Sequence, residues 1–288
     1  RPVLIVATYR PSEAGTELLA TAAALISATA DDLALAGLSD DGIRALAADA
    51  GLDPVDDATL ALLRSRTDGN PLFVRELAKL VASRGPRDAQ TVVPSGVREV
   101  LLRRVERLPE QTVTMLRLAA VCGRESDVDT IIGLWPDDDA EDIVLDAIDS
   151  AVIAGLLSTD ADTVRFTHVL MRDAVYGAIP TLRRRRLHWQ TMQLLKDRNP
   201  TVTDELAVHA ALGASSSTAD DALRIVEEAA RHRFSTGFAA DSAPLWQHAV
   251  ELHDLAGHTR SAASTEDRVR MVNALCDLVT ALAHRGEI

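Results

Sequence analysis

The second half of the chain repeats one apolar spacing, in which hydrophobic side chains recur every three or four residues between short polar breaks. In its last segment the spacing falls on Val269, Val272, Leu275, Val279 and Leu282. Residues spaced in this way lie on one face of an α-helix, which must then pack against another element. The spacing predicts five helices, at residues 181–197, 202–212, 218–235, 238–255 and 266–284. Successive antiparallel helix pairs of this length are typical of helical repeats.

The composition favours a mainly helical fold. Hydrophobic residues make up 47% of the 288 positions but aromatic residues only 3%, and the abundant alanine and leucine lose little side-chain freedom in a helix. A chain of this length suits two or three domains. The net charge of −13 argues against nonspecific attraction to nucleic acid or to an anionic membrane.

Membrane and secretion signals are not found in the sequence. No run of about 18 apolar residues occurs, and the opening apolar stretch, residues 1–7, is far too short for a signal peptide. We therefore expect a cytoplasmic protein without membrane contact. Cys122 and Cys276 are too few for a disulfide framework or a metal site, and both lie among apolar residues of predicted helices. We expect both thiols to be buried and structural.

The first 90 residues combine a strand pattern with helical patterns. Residues 2–10 are a compact β-branched run closed by Pro11, which is typical of a strand buried in a parallel sheet. Residues 32–35 predict a second, short strand. Because such strands need partners, the segment is expected to be the end of an α/β domain. Helical patterns then follow at about 40–50, 56–67 and 71–84, and they predict a small helical lid.

The last lid helix and the segment after it mark a domain boundary. Its apolar stripe is predicted to consist of Leu72, Phe73, Leu77, Leu80 and Val81. Gly85 and Pro86 then break the pattern and begin a polar linker that extends to about residue 95. Ser95 is expected to cap the next helix. We place the first domain at residues 1–90.

Residues 91–180 predict a winged-helix domain, because several helices precede two short strands. The strands flank the polar turn at 159–162, and a further helix is expected to begin at His168 with Thr167 as its cap. The helices before the strands are predicted at 97–107, 110–122, 126–134 and 140–154. The remaining residues, 181–288, form the helical repeat region.

Gly69, Asn70 and Pro71 form the first of two informative motifs. Glycine tolerates positive φ after a helix, asparagine caps the next helix, and proline fits its first position. Local chemistry alone therefore interprets these residues as a helix junction. A ligand-binding role is the alternative.

The second motif runs from Phe166 to Tyr176 and contains His168 and Arg172 one helical turn apart. Free backbone N–H groups at a helix start, together with these two side chains, suit a phosphate group. The alternatives are a histidine that completes the hydrogen bonds of the hairpin and an arginine paired with a carboxylate. Arg10 ends the first predicted strand, where ligands bind in open α/β sheets, or else it is a paired surface residue.

Together the two motifs resemble the regulatory ATPases of the STAND class, in particular those carried by large bacterial LuxR-type transcriptional activators. The resemblance covers residues 1 to about 255. It implies that Pro71 lies against an adenine base, that His168 senses the β-phosphate of the nucleotide in a closed resting form, and that Arg10 reaches the γ-phosphate. The implied cofactor is ATP or ADP, with magnesium in the full-length protein.

The phosphate-binding sequence of such ATPases, G-x-x-x-x-G-K-S/T, does not occur in the chain. We therefore expect an internal piece of a longer protein, comprising the end of a P-loop ATPase domain with its lid, a winged-helix domain and repeats similar to tetratricopeptide repeats. Such a piece is expected to lack ATPase activity and to bind no nucleotide tightly. The resemblance further implies self-association of the full-length protein and control by an inducer or a regulatory protein.

DNA binding by this part of the chain is not expected. The basic run at 183–186 spreads around the whole circumference of a helix, and we interpret it as a solvated helix start. Asp142, Asp146 and Asp149 give the helix at 140–154 a charge that DNA phosphates would repel. Asp139, in an acidic run before that helix, is expected to be a cap. The resemblance places the DNA reader in a separate C-terminal domain.

Two further hypotheses remain open from the sequence. One is a helical scaffold for protein interactions in which the nucleotide motifs are remnants. The other is direct DNA binding through the winged helix. No catalytic triad, paired-carboxylate motif or zinc-binding motif supports an independent hydrolase or metalloenzyme.

Overall fold

The computed structural model describes residues 33–136, 140–199, 201, 203–259 and 263–286, together with four positions of an earlier helix, Glu17, Ala20, Thr21 and Ala24. Over these residues the protein is mostly α-helical, as predicted, with one small sheet. It divides into two compact units, Arg1–Ala178 (unit 1) and Ile179–Ile288 (unit 2). The predicted strand at residues 2–10 lies outside the described residues.

From residue 33 to residue 91, unit 1 contains four helices: α1 (Asp40–Asp49), α2 (Asp57–Thr67), α3 (Pro71–Arg84) and α4 (Pro86–Thr91). Side chains cap the first three, because Ser39, Asp56 and Asn70 each accept a backbone N–H from the first turn. The helices enclose a core of aliphatic side chains. It includes Ile43, Ala47, Leu63, Val74, Leu77, Ala78, Val81 and Ala89.

The three helices predicted at about 40–50, 56–67 and 71–84 are confirmed, but several details differ. Residues 33–35 form no strand, since Leu33 and Leu35 are exposed and pair with no described strand. Leu72 is 46% exposed at the first turn of α3, so the buried stripe begins at Phe73. The expected linker contains α4, because Pro86 is pre-set for the first position of a helix.

The second half of unit 1 alternates helices with short strands. Ser95 is the first residue of α5 and makes no capping hydrogen bond, so the expected cap is wrong. The order is α5 (Ser95–Val105), α6 (Glu110–Cys122), β1 (Glu125–Asp127), α7 (Val128–Gly133), α8 (Ala140–Ile153), β2 (Leu157–Asp160), β3 (Thr163–Phe166) and α9 (Val169–Ala178). The expected cap at Asp139 lies outside the described residues.

The three strands form one antiparallel sheet in the order β1-β3-β2. In its register Glu125 lies opposite Arg165, and Leu157 lies opposite Phe166. The two later strands are confirmed, whereas β1 falls where a helix from residue 126 was expected. Asp127 explains the difference, because its carboxylate accepts the N–H groups of Asp129 and Thr130, so that α7 begins at Val128.

The described part of unit 2 contains five α-helices: α10 (Thr181–Arg198), α11 (Asp204–Gly213), α12 (Ala219–Ser235), α13 (Ala243–Ala256) and α14 (Thr265–Arg285). A 3₁₀ turn, Ala240–Ser242, precedes α13. Consecutive helices pack against each other around a core of mostly small residues with Trp246. A side chain at Gly213 would lie 2.8 Å from the Cα of Trp189, so glycine permits the close approach of α11 to α10.

All five predicted helices of unit 2 are confirmed, but the face of α14 that packs on the core is only partly the expected one. Ala274 and Ala281 are buried, and Leu278 and the predicted Leu282 pack against the core. Val269, Val272 and Val279 are instead more than half exposed. The prediction for the cysteines is also wrong, since Cys122 is only partly buried and Cys276 is exposed.

Candidate functional site

The turn between α2 and α3 contains the first predicted motif. Asp68 adopts a left-handed conformation, with φ 50°, and Gly69 follows with φ 75°. Asn70 then accepts the N–H groups of Leu72 and Phe73 and starts α3, in which Pro71 is the first residue. Two residues of positive φ therefore reverse the chain between the helices.

The backbone of Gly69 lies so close to Leu38 that there is no room for a side chain at this position. Its carbonyl accepts the N–H of Leu38 at 2.8 Å. A Cβ atom at Gly69 would lie 2.7 Å from both the N and the O of Leu38. Thr67 holds the other side of the turn, because its hydroxyl donates to the Leu63 carbonyl and accepts the N–H of Gly69. The turn is therefore rigidly positioned.

His168 lies beside this turn although it is 100 residues away in the sequence. Its Nδ1 is 2.9 Å from a carboxylate oxygen of Asp68. The ring also meets the edge of Phe73 on α3, with centroids 6.2 Å apart and planes at 85°. Both side chains of the His168–Asp68 pair are partly exposed, at 34% and 46%. A small polar ligand in solution has access to them.

Thr167, two residues before α9, does not have the expected capping role. The hydroxyl of Thr167 donates to the carbonyls of Gly155 and Leu156, each at 3.1 Å. Thr167 therefore joins the start of the hairpin to the entry of α9, and His168 follows from this fixed point. Backbone bonds from Met171 and Arg172 to the His168 carbonyl continue into the helix.

Arg172 is engaged by its surroundings within unit 1. Its Nε donates to the carbonyl of Ala120 at 2.8 Å, and its Nη1 lies 3.2 Å from Asp173. The guanidinium also stands 4.5 Å from the centroid of the Tyr176 ring. These contacts match the alternative in which the arginine pairs with a carboxylate. Its contact with a nucleotide stays a prediction.

A second ion pair joins the same two helices and was not anticipated from the sequence. Arg66, at the end of α2, donates through Nη1 to Asp173 on α9. Both side chains are largely buried, at 9% and 14% exposure. Nε and Nη2 of Arg66 are buried and have no hydrogen-bond partner among the described residues. The sequence offered only one signal for Arg66 and Asp68, which is that both lie within three residues of Gly69.

The site thus consists of the turn at residues 67–71, His168 and a charged pair between α2 and α9. Of the predicted site residues, Gly69, Asn70 and Pro71 directly follow Asp68, which contacts His168, whereas the guanidinium of Arg172 is directed toward Ala120 and Asp173. Arg10 lies outside the described residues, and its role stays a prediction. In the described part of the chain, no group of three or more histidine, cysteine or acidic residues is arranged to hold a metal ion.

Comparison with known proteins adds no identification. No protein-family model and no curated protein matches the chain. Among the described helices, none is both long enough and apolar enough to cross a membrane.

Proposed function

We propose that this chain is part of a nucleotide-regulated, signal-transducing ATPase module of a STAND-class, LuxR-type transcriptional regulator. In this proposal residues 1–90 are the end of the nucleotide-binding domain and its lid, residues 91–180 are a winged-helix domain, and residues 181–288 are repeats similar to tetratricopeptide repeats. ATP or ADP is the ligand, and His168 contacts its β-phosphate in the closed resting state.

One observation carries the proposal. The two motifs that suggested a nucleotide independently, around Gly69 and around His168, lie together through the 2.9 Å contact of His168 with Asp68. Packing of the helices does not require this contact, because both side chains are partly exposed. A partly exposed histidine held beside a glycine turn and a helix start provides hydrogen-bond donors for a phosphate group.

The architecture of residues 95–178 supports the proposed winged helix. Helices, a short strand, two more helices and a hairpin follow in that order, and the first strand pairs with the last. In DNA readers of this kind, a helix before the hairpin enters the major groove. Here that helix is α8, whose Asp142, Asp146 and Asp149 are all exposed. Phosphate repulsion therefore favours a regulatory role for this domain over DNA binding.

Asp68 gives the proposed switch a simple chemistry. Its carboxylate contacts the histidine that a phosphate would otherwise contact. A nucleotide bound in the resting state must share His168 with Asp68 or displace the Asp68 carboxylate from His168. Loss of the phosphate contact would favour the open form, in proportion to the difference in affinity of the nucleotide for the two states.

A helical scaffold is the second candidate function, and one observation favours it. Val269, Val272 and Val279 expose an apolar stripe along α14, as expected for a helix that contacts another protein. The two functions differ in their dependence on nucleotide. An intact phosphate-binding sequence before Arg1 would favour the ATPase, and its degeneration would favour the scaffold.

The proposal is tested by measuring the affinity for ADP of the full-length protein and of its His168→Ala variant. We expect His168→Ala to weaken ADP binding by roughly 5- to 150-fold, the usual range of a coupling of about 1–3 kcal/mol, and to activate transcription without inducer. His232→Ala, at an exposed histidine of unit 2, is the matched control and should leave both properties unchanged. Unchanged ADP affinity and inducer dependence in a stably folded His168→Ala protein would make His168 a packing residue.

A further inference from the structure

Two histidines meet inside unit 2 near the end of α13. His253 is completely buried in the last turn of that helix, and His258 is 7% exposed in the turn that follows. Their Nδ1 atoms are 2.8 Å apart, and the ring centroids are 5.1 Å apart. At this separation the two nitrogens share a hydrogen bond, so one Nδ1 carries a proton and the other accepts it.

The outer nitrogen of each ring faces carboxylates. Nε2 of His253 lies 3.3 Å from Glu227 on α12, which is an ion-pair distance without the alignment of a full hydrogen bond. Nε2 of His258 lies 3.3 Å from Asp220 on α12 and 3.7 Å from Asp267 on α14. A ring nitrogen that carries a proton is attracted to a carboxylate, whereas a bare lone pair is repelled.

Counting protons leads to one favoured state. A proton on each Nε2 suits the carboxylate that the nitrogen faces, and the two Nδ1 atoms share one more. Two neutral imidazoles hold only two protons in total. We infer that α12, α13, α14 and the turn after α13 form a buried proton-binding site, in which His253 and His258 together hold one proton beyond their neutral forms.

The surrounding charges are consistent with this site. Glu227, buried and 4% exposed, also contacts Arg231 at 2.6 Å and Arg270 at 3.4 Å. Three carboxylates and two guanidinium groups therefore surround the histidine pair, with a net charge of about −1. The additional proton neutralises that charge. Asp254, on α13 itself, accepts the hydroxyl of Thr259.

The two other elements that pack against α13 contribute charged groups engaged elsewhere. On α11, His209 lies 2.9 Å from His188. In the 3₁₀ turn, Asp241 lies 3.8 Å from Arg233. The groups that face the histidine pair are therefore those on α12 and α14.

Nitrogen NMR of the histidine rings tests the proton count in the intact 288-residue chain. The sample is labelled with ¹⁵N-histidine at pH 7 and contains EDTA, so that no metal ion replaces the proton. We expect full protonation of Nε2 in both His253 and His258, with one proton averaged over the two Nδ1 atoms. An unprotonated Nε2 in either ring, or a full proton on each Nδ1, would overturn the inference.

A pair of isosteric variants tests the role of the buried carboxylate. Glu227→Gln removes the charge facing His253, and we expect the third ring proton to disappear from the spectrum recorded at pH 7. Glu228→Gln makes the same change at the next, exposed position and should leave the spectrum unchanged. Equal behaviour of the two variants would contradict the site. If Glu227→Gln does not fold, the wild-type spectrum decides alone.

Discussion

Removing the charge of Asp173 should destabilise the contact between α2 and α9 strongly. In Asp173→Asn, Arg66 remains buried at 9% exposure and loses its ionic partner. Its Nε and Nη2 already have no partner among the described residues, so the guanidinium would keep little compensation. Breaking a buried ion pair in this way costs about 3–5 kcal/mol.

Hydrogen exchange measured by mass spectrometry reports this loss of stability helix by helix. A local measurement is needed because the chain has two units, so one unfolding free energy does not describe the whole chain. Amides of α2 and α9 should exchange roughly a hundredfold to a few thousandfold faster, since about 1.4 kcal/mol corresponds to a factor of ten. The same variant should loosen the His168–Asp68 contact, because α2 ends one residue before Asp68 and α9 begins one residue after His168.

Two controls make this prediction specific. Glu99→Gln breaks the Glu99–Arg103 pair, whose side chains are 65% and 69% exposed, and should cost only about 0.3–0.5 kcal/mol. The double variant Arg66→Met with Asp173→Leu replaces both charges by apolar groups and should recover most of the lost stability. The reasoning is refuted if Asp173→Asn changes the exchange of α2 and α9 no more than Glu99→Gln does.

Three further predictions concern nucleotide, DNA and acid. The 288-residue chain alone should bind ATP or ADP weakly or not at all, because its sequence contains no phosphate-binding loop; calorimetry that finds sub-micromolar affinity would contradict this. It should show no tight, salt-sensitive DNA binding in gel shifts, given its net charge of −13, and a steep salt slope would be evidence against this view. Burial raises the pKa of Glu227, but its contacts with His253 and Arg231 and the charges of Arg270 and Arg231 outweigh it and lower that pKa to about 2. Ionised Glu227 therefore stabilises the folded state fully above 4.5, its pKa in the unfolded chain, and this stabilisation is lost as the pH falls toward 2. The free energy of unfolding should fall by up to about 1.4 kcal/mol per pH unit over that range. Glu227→Gln should flatten this part of the plot of unfolding free energy against pH, whereas Glu228→Gln should not.

Local signals explain why most helices could be predicted from the sequence. Ser39, Asp56 and Asn70 start three helices through their own side chains, and such caps act within a single turn. Gly69 and Pro71 mark a helix junction for equally local reasons. The hairpin β2–β3 is also formed by neighbouring residues.

The features that could not be predicted depend on distant residues. Strand β1 is only three residues long and exists through its pairing with β3, some 40 positions later. The buried face of α14 is set by the space that neighbouring helices leave, so Ala274 is buried while Val272 is not. The pairing of Arg66 with Asp173 spans 107 residues. The sequence indicated that His168 and Gly69 were functional candidates, but not that Asp68 joins them.

The most direct test of the proposed nucleotide site follows the ring nitrogens of His168 by NMR while ligand is added to the full-length protein. ADP and adenosine share the base and the sugar, but only ADP carries phosphates. If His168 contacts the β-phosphate, ADP should shift its ring nitrogens, adenosine should not, and Asp68→Asn should leave the ADP-induced shift in place. Equal shifts with adenosine and ADP, or none with saturating ADP, would contradict the proposed role of His168.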